Sequence, residues 1–281
     1  MLKYIVNESL VVADKVSVHI SDLALLRGYG IFDFFRTEGN TPLFIEEHLD
    51  RFYRSATELR LEPPVGREQL RALIYEMLGH NRLPGSGVRI VLTGGESPNG
   101  YHPGKPGLYA MNEPINPIPE SNFRDGIKLI TAEYIRDLPE IKTINYIRGI
   151  YLLPEIERAG ASDVLYHWRG IVSELTRSNF FIVDRQGVIV TADTGILKGV
   201  TRGKVLGLAR KQGKVEEREL HLDEVVNATE AFVTGTTKKV TPVIQIDDWK
   251  INGGIVGPIT RKLQAELDLL ILRYCSDQNR P

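Results

Sequence analysis

The amino-acid sequence predicts an α+β protein of two domains, and three observations carry that reading. Segments with a period of 2 and segments with a period of 3.6 are mixed without the regular βαβ alternation of a doubly wound sheet. A chain of 281 residues is long enough for one large domain or two modest ones, each with a sizeable core. Finally, the run Glu113-Pro114-Ile115-Asn116-Pro117-Ile118-Pro119 reads as a stiff linker. It separates a small N-terminal domain, 1–113, from a larger C-terminal domain, 121–281, with 114–120 between them.

In the first domain, Tyr4 to Val12 reads as a hairpin about Asn7-Glu8, and Val16 to Ile20 as another short strand. Ser21 to Gly30 reads as a capped turn of helix stopped by glycines. Ile31 to Thr37 is a strand, Gly39-Asn40 a turn, and Leu43-Phe44 the expected partner. The period then becomes helical: Ile45, Leu49, Phe52, Ala56 and Leu59 form an apolar stripe, with His48, Arg51 and Ser55 on another face. A second helix runs from Arg67 to Asn81. From Val88 to Thr93 a strand points Arg89 and Val91 one way and Val88, Ile90 and Leu92 the other. The turn-rich stretch Gly94 to Gly104 has the length of a lid or binding loop, and Leu108 to Met111 is a strand.

The second domain opens with a strand, Gly126 to Glu133, and a helix from about Tyr146 to Ala159. Strands follow at Asp163 to Trp168, Ile171 to Glu174, Asn179 to Val183, Gly187 to Ala192 and Ala231 to Thr234. Helices are expected from Val200 to about Gln212 and from Pro258 to about Leu270.

Composition narrows the function classes. The formal net charge of −1 and the absence of like-charge blocks argue against nucleic acid as a partner. One cysteine, Cys275, excludes an internal disulfide framework, and six scattered histidines show no metal-ligand spacing. The start MLKYIVNESLVV is neither a signal peptide nor a membrane span, so the chain reads as cytoplasmic, with no membrane partner.

Several residues invite chemistry. Lys142 lies between the strand ending at Glu133 and the next helix. It is either a solvated loop lysine or one lifted out of water, whose amine then sheds its proton and forms a Schiff base with an aldehyde. Gly199-Val200-Thr201 opens a helix, where backbone N–H groups and a hydroxyl meet anions. Gly235-Thr236-Thr237 ends a strand with two hydroxyls beside flexible backbone. Plain cap and turn readings compete with a phosphate at both places. Glu174, after an apolar strand, reads as a partly buried carboxylate that requires a cation or donor, with a rim pair to Arg177 as the other possibility. Arg51 is either a bidentate phosphate clamp or a solvated arginine.

Five motifs in order resemble the fold-type IV pyridoxal-phosphate enzymes, over nearly the whole chain. They are His48-Leu49-Asp50-Arg51-Phe52; Ile141-Lys142-Thr143-Ile144-Asn145-Tyr146; Ser173-Glu174 with Ser178-Asn179-Phe180-Phe181; Ile196 to Arg202; and Phe232 to Thr237 continuing to Val243. The resemblance implies a two-domain fold with pyridoxal 5'-phosphate between the domains, in an obligate homodimer whose active site borrows from the neighbour. It implies that Lys142 carries the cofactor and shuttles a proton, and that Glu174 keeps the pyridine nitrogen protonated. Tyr146 would bond the phenolic oxygen. Arg51, the backbone of Val200 and Thr201, and the Thr236-Thr237 hydroxyls would hold the phosphate.

Neither common specificity pattern of this family is met. The loop Ser97 to His102 lacks the Arg-x-His pair of well-known D-amino-acid transaminases, and Phe32 replaces their early tyrosine. The branched-chain pattern over Ser21 to Gly30 has an uncharged residue where this chain has Arg27. Arg89, on a strand face among apolar neighbours, is either a rim residue or, with Arg27, part of an arrangement that resembles the carboxylate clamp of a less common D-amino-acid transaminase subgroup, in which the neighbouring subunit lends one arginine. The expected function is amino transfer between a D-amino acid and a 2-oxo acid (D-glutamate and 2-oxoglutarate). The rivals are an L-branched-chain aminotransferase, with Phe32, Phe34 and Val91 as an apolar wall, an aminodeoxychorismate lyase, and a phosphometabolite-binding module.

Overall fold

The computed structural model describes residues 1–278; positions 279–281, the end of the expected second domain, lie outside the described residues. The chain forms two compact units. The first comprises Met1–Asn116, Ile141–Asn145 and the chain from Cys275; the second comprises Pro117–Glu140 and Tyr146–Tyr274. Ile141–Asn145 follows the linker in sequence and was expected in the second domain, yet it belongs to the first unit, because its backbone bonds to a strand there. Phe32 N donates to Lys142 O at 2.9 Å, and Ile144 N donates to Gly30 O at 3.1 Å.

The first unit contains β1 (Lys3–Val6), β2 (Ser9–Val12), α1 (Leu23–Arg27), β3 (Gly30–Glu38), β4 (Thr41–Pro42), α2 (Ile45–Glu58), α3 (Arg67–Asn81), β5 (Ser86–Thr93) and β6 (Leu108–Pro114). Its sheet has the order β2-β1-β6-β5-β3-β4. Strand alternation sorts the side chains: Ile31 and Phe35 of β3 and Val88 and Ile90 of β5 are buried, in one core with Leu49, Phe52 and Ile74 of α2 and α3. The other face carries Phe32 and Phe34 of β3 opposite Val91 and Arg89 of β5. At α1 the Asp22 carboxylate accepts from Ala24 N at 2.8 Å, and Gly28 closes the turn at φ 65°, a left-handed conformation that glycine adopts without steric cost.

Two local expectations change. Val16 to Ile20 is not a strand; Ser17 to Ile20 are exposed and have no strand partner among the described residues, so nothing rewards extension. The partner of β3 at the Gly39-Asn40 turn is Thr41–Pro42, while Phe44 turns at φ 53° to start α2.

The second unit contains α4 (Glu120–Asp125), β7 (Ile127–Glu133), α5 (Ile147–Tyr151), α6 (Leu153–Arg158), β8 (Asp163–Trp168), β9 (Ile171–Leu175), β10 (Asn179–Val183), β11 (Ile189–Thr191), α7 (Val200–Ala209), β12 (Val215–Glu217), β13 (Leu220–His221), α8 (Leu222–Val226), β14 (Glu230–Gly235), β15 (Lys239–Ile246), β16 (Trp249–Lys250) and α9 (Pro258–Gln278) as far as Tyr274. Its sheet runs β12-β11-β10-β14-β15-β7-β8-β9-β13, and β10 also pairs with β9. That extra pairing, Asn179 with Glu174, closes six strands into a ring. The single helix expected over 146–159 is two, α5 and α6, divided at Leu152 just before Pro154, whose nitrogen has no hydrogen to continue the ladder. The start of α9 is capped by the buried Glu230 carboxylate, which accepts from Thr260 N and Oγ1, both at 2.7 Å. No described helix is long and apolar enough to cross a membrane.

Candidate active site

In the first unit, Lys142 is half-buried, and its Nζ lies 4.5 Å from the centroid of the Phe32 ring. The same ring has the Arg89 guanidinium carbon 5.7 Å from its centroid, and the Phe34 ring has it at 5.0 Å. Strand register explains the grouping, since Phe34 is directly opposite Arg89 and Phe32 opposite Val91. Arg89 donates to Glu113, from Nη2 at 2.6 Å and Nε at 3.3 Å. Arg27 is exposed at the end of α1 and donates to Leu26 O at 2.9 Å. The two arginines share no partner among the described residues.

Arg51 is not a solvated arginine: it is 5% exposed. Its Nε and Nη2 form a fork on Asp33, both bonds 2.8 Å, and His48 Nδ1 donates to Asp33 Oδ1 at 2.7 Å. Burial by itself would raise the Asp33 carboxyl, but the adjacent Arg51 and His48 overcome it and hold the group far below the usual carboxylate range. Burial pulls His48 down, against the opposing pull of Asp33; Arg51 and Lys142 add to the lowering.

In the second unit, Glu174 is 4% exposed. Its cation is Arg136, whose Nη1 donates to Oε1 at 2.7 Å, rather than Arg177. Oε2 accepts from Leu197 N at 3.1 Å and from Asn179 Nδ2 at 3.3 Å, so the ring-closing pair β9–β10 also fixes the carboxylate. Asn179 reaches on to Leu197 O at 2.7 Å, and a side chain at Gly199 would collide with the Asn179 amide. Gly199 is the N-cap of α7 and supplies no side-chain cap, so the N–H groups of Val200 and Thr201 make no hydrogen bond among the described residues. Ser178 Oγ is buried without a partner there and packs over Gly235. Thr236 and Thr237 form the turn between β14 and β15, and Tyr146 is the N-cap of α5.

Thus within the second unit Glu174, the open start of α7, the Ser178 hydroxyl and the Gly235-Thr236-Thr237 turn occupy one corner. Lys142, Phe32 and Arg89 form another group within the first unit. Sequence reasoning assigned no role to Asp33, Glu113, Arg136, Asn179 or Ser178. The signal for Asp33 was present: period 2 along β3 puts it on the inward face with Ile31 and Phe35, where a lone carboxylate needs a cation.

The profile of "Amino-transferase class IV" matches residues 30–246. Over 278 residues the chain is 34% identical to a putative branched-chain-amino-acid aminotransferase of Methanocaldococcus jannaschii, covering 94% of this chain and 95% of that protein. It is 31% identical to the D-alanine aminotransferase of Bacillus licheniformis, covering 96% and 98%. A solved branched-chain amino acid aminotransferase of T.th. with pyridoxamine 5'-phosphate superposes with a TM-score of 0.89 at 27% identity, covering 96% of this chain and 94% of that one. The chain belongs to the class IV aminotransferases, the fold-type IV family, and is an aminotransferase whose cofactor is pyridoxal 5'-phosphate. The residues present fit that cofactor: a buried unpartnered hydroxyl and an uncapped helix start suit a phosphate, and a buried carboxylate suits a pyridinium.

Proposed function

We propose that the protein transfers the amino group between a D-amino acid and a 2-oxo acid, with D-glutamate and 2-oxoglutarate as the pair. The observation that carries this reading is the placement of the Lys142 amine and the Arg89 guanidinium within 6 Å of one ring, that of Phe32. An arginine beside the same ring as the reacting nitrogen can hold a substrate carboxylate, and the anchored carboxylate decides which face of Cα meets Lys142.

When bound, the cofactor supplies the electron sink for the cleaved Cα–H bond. Lys142 would carry it and would move the substrate's Cα proton. Glu174, held by Arg136 at 2.7 Å, would keep the pyridine nitrogen protonated. Arg51, the backbone at Val200 and Thr201, and the Thr236 and Thr237 hydroxyls would hold the phosphate, while Tyr146 would bond the phenolic oxygen. Arg27, exposed at the end of α1, is the arginine offered to a second copy of the chain. Exposed Ile147, Ile150, Tyr151 and Leu153 favour a homodimer.

A second reading has its own support. Phe32, Phe34 and Val91 share a sheet face that suits a leucine side chain, and one 34% relative is named a putative branched-chain enzyme. Kinetics of two variants separate the readings. Arg89→Ala and Arg27→Ala should each raise KM for D-glutamate, by roughly 10- to 100-fold for a lost charge-assisted hydrogen bond, while the yellow cofactor absorbance persists. Normal kinetics in both would rule the clamp out.

A further inference from the structure

We infer that Glu113 is the positioning residue for Arg89 and thereby sets how firmly a substrate carboxylate is held. The inference rests on the role proposed for Arg89.

In the β5–β6 pairing Arg89 is opposite Met111 and Gly87 opposite Glu113, so Glu113 reaches Arg89 diagonally on the same face. Its carboxylate takes the guanidinium side-on, through Nη2 at 2.6 Å and Nε at 3.3 Å. The rings of Phe34 and Phe32 lie against the guanidinium carbon at 5.0 and 5.7 Å. The Phe34 ring can lie there because Gly87 has no Cβ, which would overlap it. With two rings beside it and its side edge held by Glu113, Arg89 keeps its Nη1 donor without a protein partner among the described residues. That donor is left for a ligand.

Stability does not account for the pair. The side chains of Arg89 and Glu113 are 36% and 27% exposed, and ion pairs so close to water contribute little. Orientation accounts for it. An arginine loses considerable rotamer freedom when it is fixed in one pose, and Glu113 and the rings impose that loss before substrate arrives. The negative charge of Glu113 opposes a second carboxylate nearby, so the sign of its removal is decisive: positioning predicts weaker substrate binding, and charge opposition alone predicts tighter binding.

The test compares KM and kcat of the holoenzyme for D-glutamate in the parent, Glu113→Gln, Glu113→Asp, Arg89→Ala and the double variant Arg89→Ala/Glu113→Gln. A glutamine turns an N–H toward the guanidinium and breaks the fork. Glu113→Gln should raise KM roughly 10-fold with kcat and cofactor absorbance within about twofold of the parent, and Glu113→Asp should recover part of the loss. The double variant should be no worse than Arg89→Ala alone, which a merely structural glutamate would not produce. Unchanged or lowered KM in Glu113→Gln, or additive losses in the double variant, would overturn the inference while leaving the role of Arg89 intact. Normal KM in Arg89→Ala would overturn both, as would a holoenzyme that turns over neither D-glutamate nor D-alanine. If Glu113→Gln fails to bind cofactor, Glu113→Asp, which keeps the charge but shortens the reach, decides by the same KM criterion.

Discussion

Asp33 shows how one buried carboxylate organises its surroundings. It accepts from Arg51 twice and from His48, and it is fully buried. Asp33→Asn would leave the Arg51 cation buried beside an amide, and should destabilise the folded chain by about 3–5 kcal/mol in urea unfolding. Protonation acts on the same cluster. Folded His48 resists the proton that the unfolded chain accepts below its ordinary value of 6.5, so stability should fall as pH drops through that region. Asp33, held low when folded, loses its stabilising charge only at much more acid pH. His48→Gln should therefore flatten the stability profile between about pH 7 and 5; an unchanged slope would show that His48 is not its source. The groups facing His48 are Asp33, Arg51 and Lys142. The motif around His48 and Arg51 was legible in sequence, but its partner Asp33 lies on a different strand, and pairing across elements leaves no local pattern.

Among the elements, α2 follows from its apolar stripe, while the stripe leaves open whether Arg51 on the other face is a phosphate clamp or a solvated arginine. His48, Arg51 and Ser55 are buried: Asp33 supplies the hydrogen bonds that let the first two leave water, and Ser55 Oγ accepts from Lys142 N at 3.4 Å. Periodicity cannot distinguish a solvated polar face from a satisfied one. The break between α5 and α6 was legible in Pro154 but was overridden by the helical period around it. These two helices expose Ile147, Ile150, Tyr151 and Leu153, an apolar group that an isolated chain would leave in water. If a second copy covers them, Ile150→Asp should shift the protein from dimer to monomer in sedimentation or light scattering, and a variant that stays dimeric would place the interface elsewhere.

For the whole molecule, the α+β class followed from strands and helices mixed without βαβ order, and the family from five motifs in sequence. The ring closure between β9 and β10 was not legible, since one residue pair, Glu174 with Asn179, makes it. Nor was the assignment of Lys142 to the first unit, which depends on backbone bonds to β3 across more than a hundred residues of sequence. The Arg89–Glu113 fork likewise joins different strands, β5 and β6, and only register reveals it. The proposed function rests on what these long-range pairings bring to the Phe32 ring, so stereochemistry is the property that tests it. The measurement is a half-reaction: mix the yellow holoenzyme with D-glutamate, D-alanine, L-glutamate or L-leucine singly, without an acceptor, and follow the cofactor absorbance. Rapid loss of the yellow band with the D-compounds alone is the predicted result. Rapid loss with L-leucine and L-glutamate instead would contradict it, and would leave Arg27 and Arg89 without the roles assigned to them.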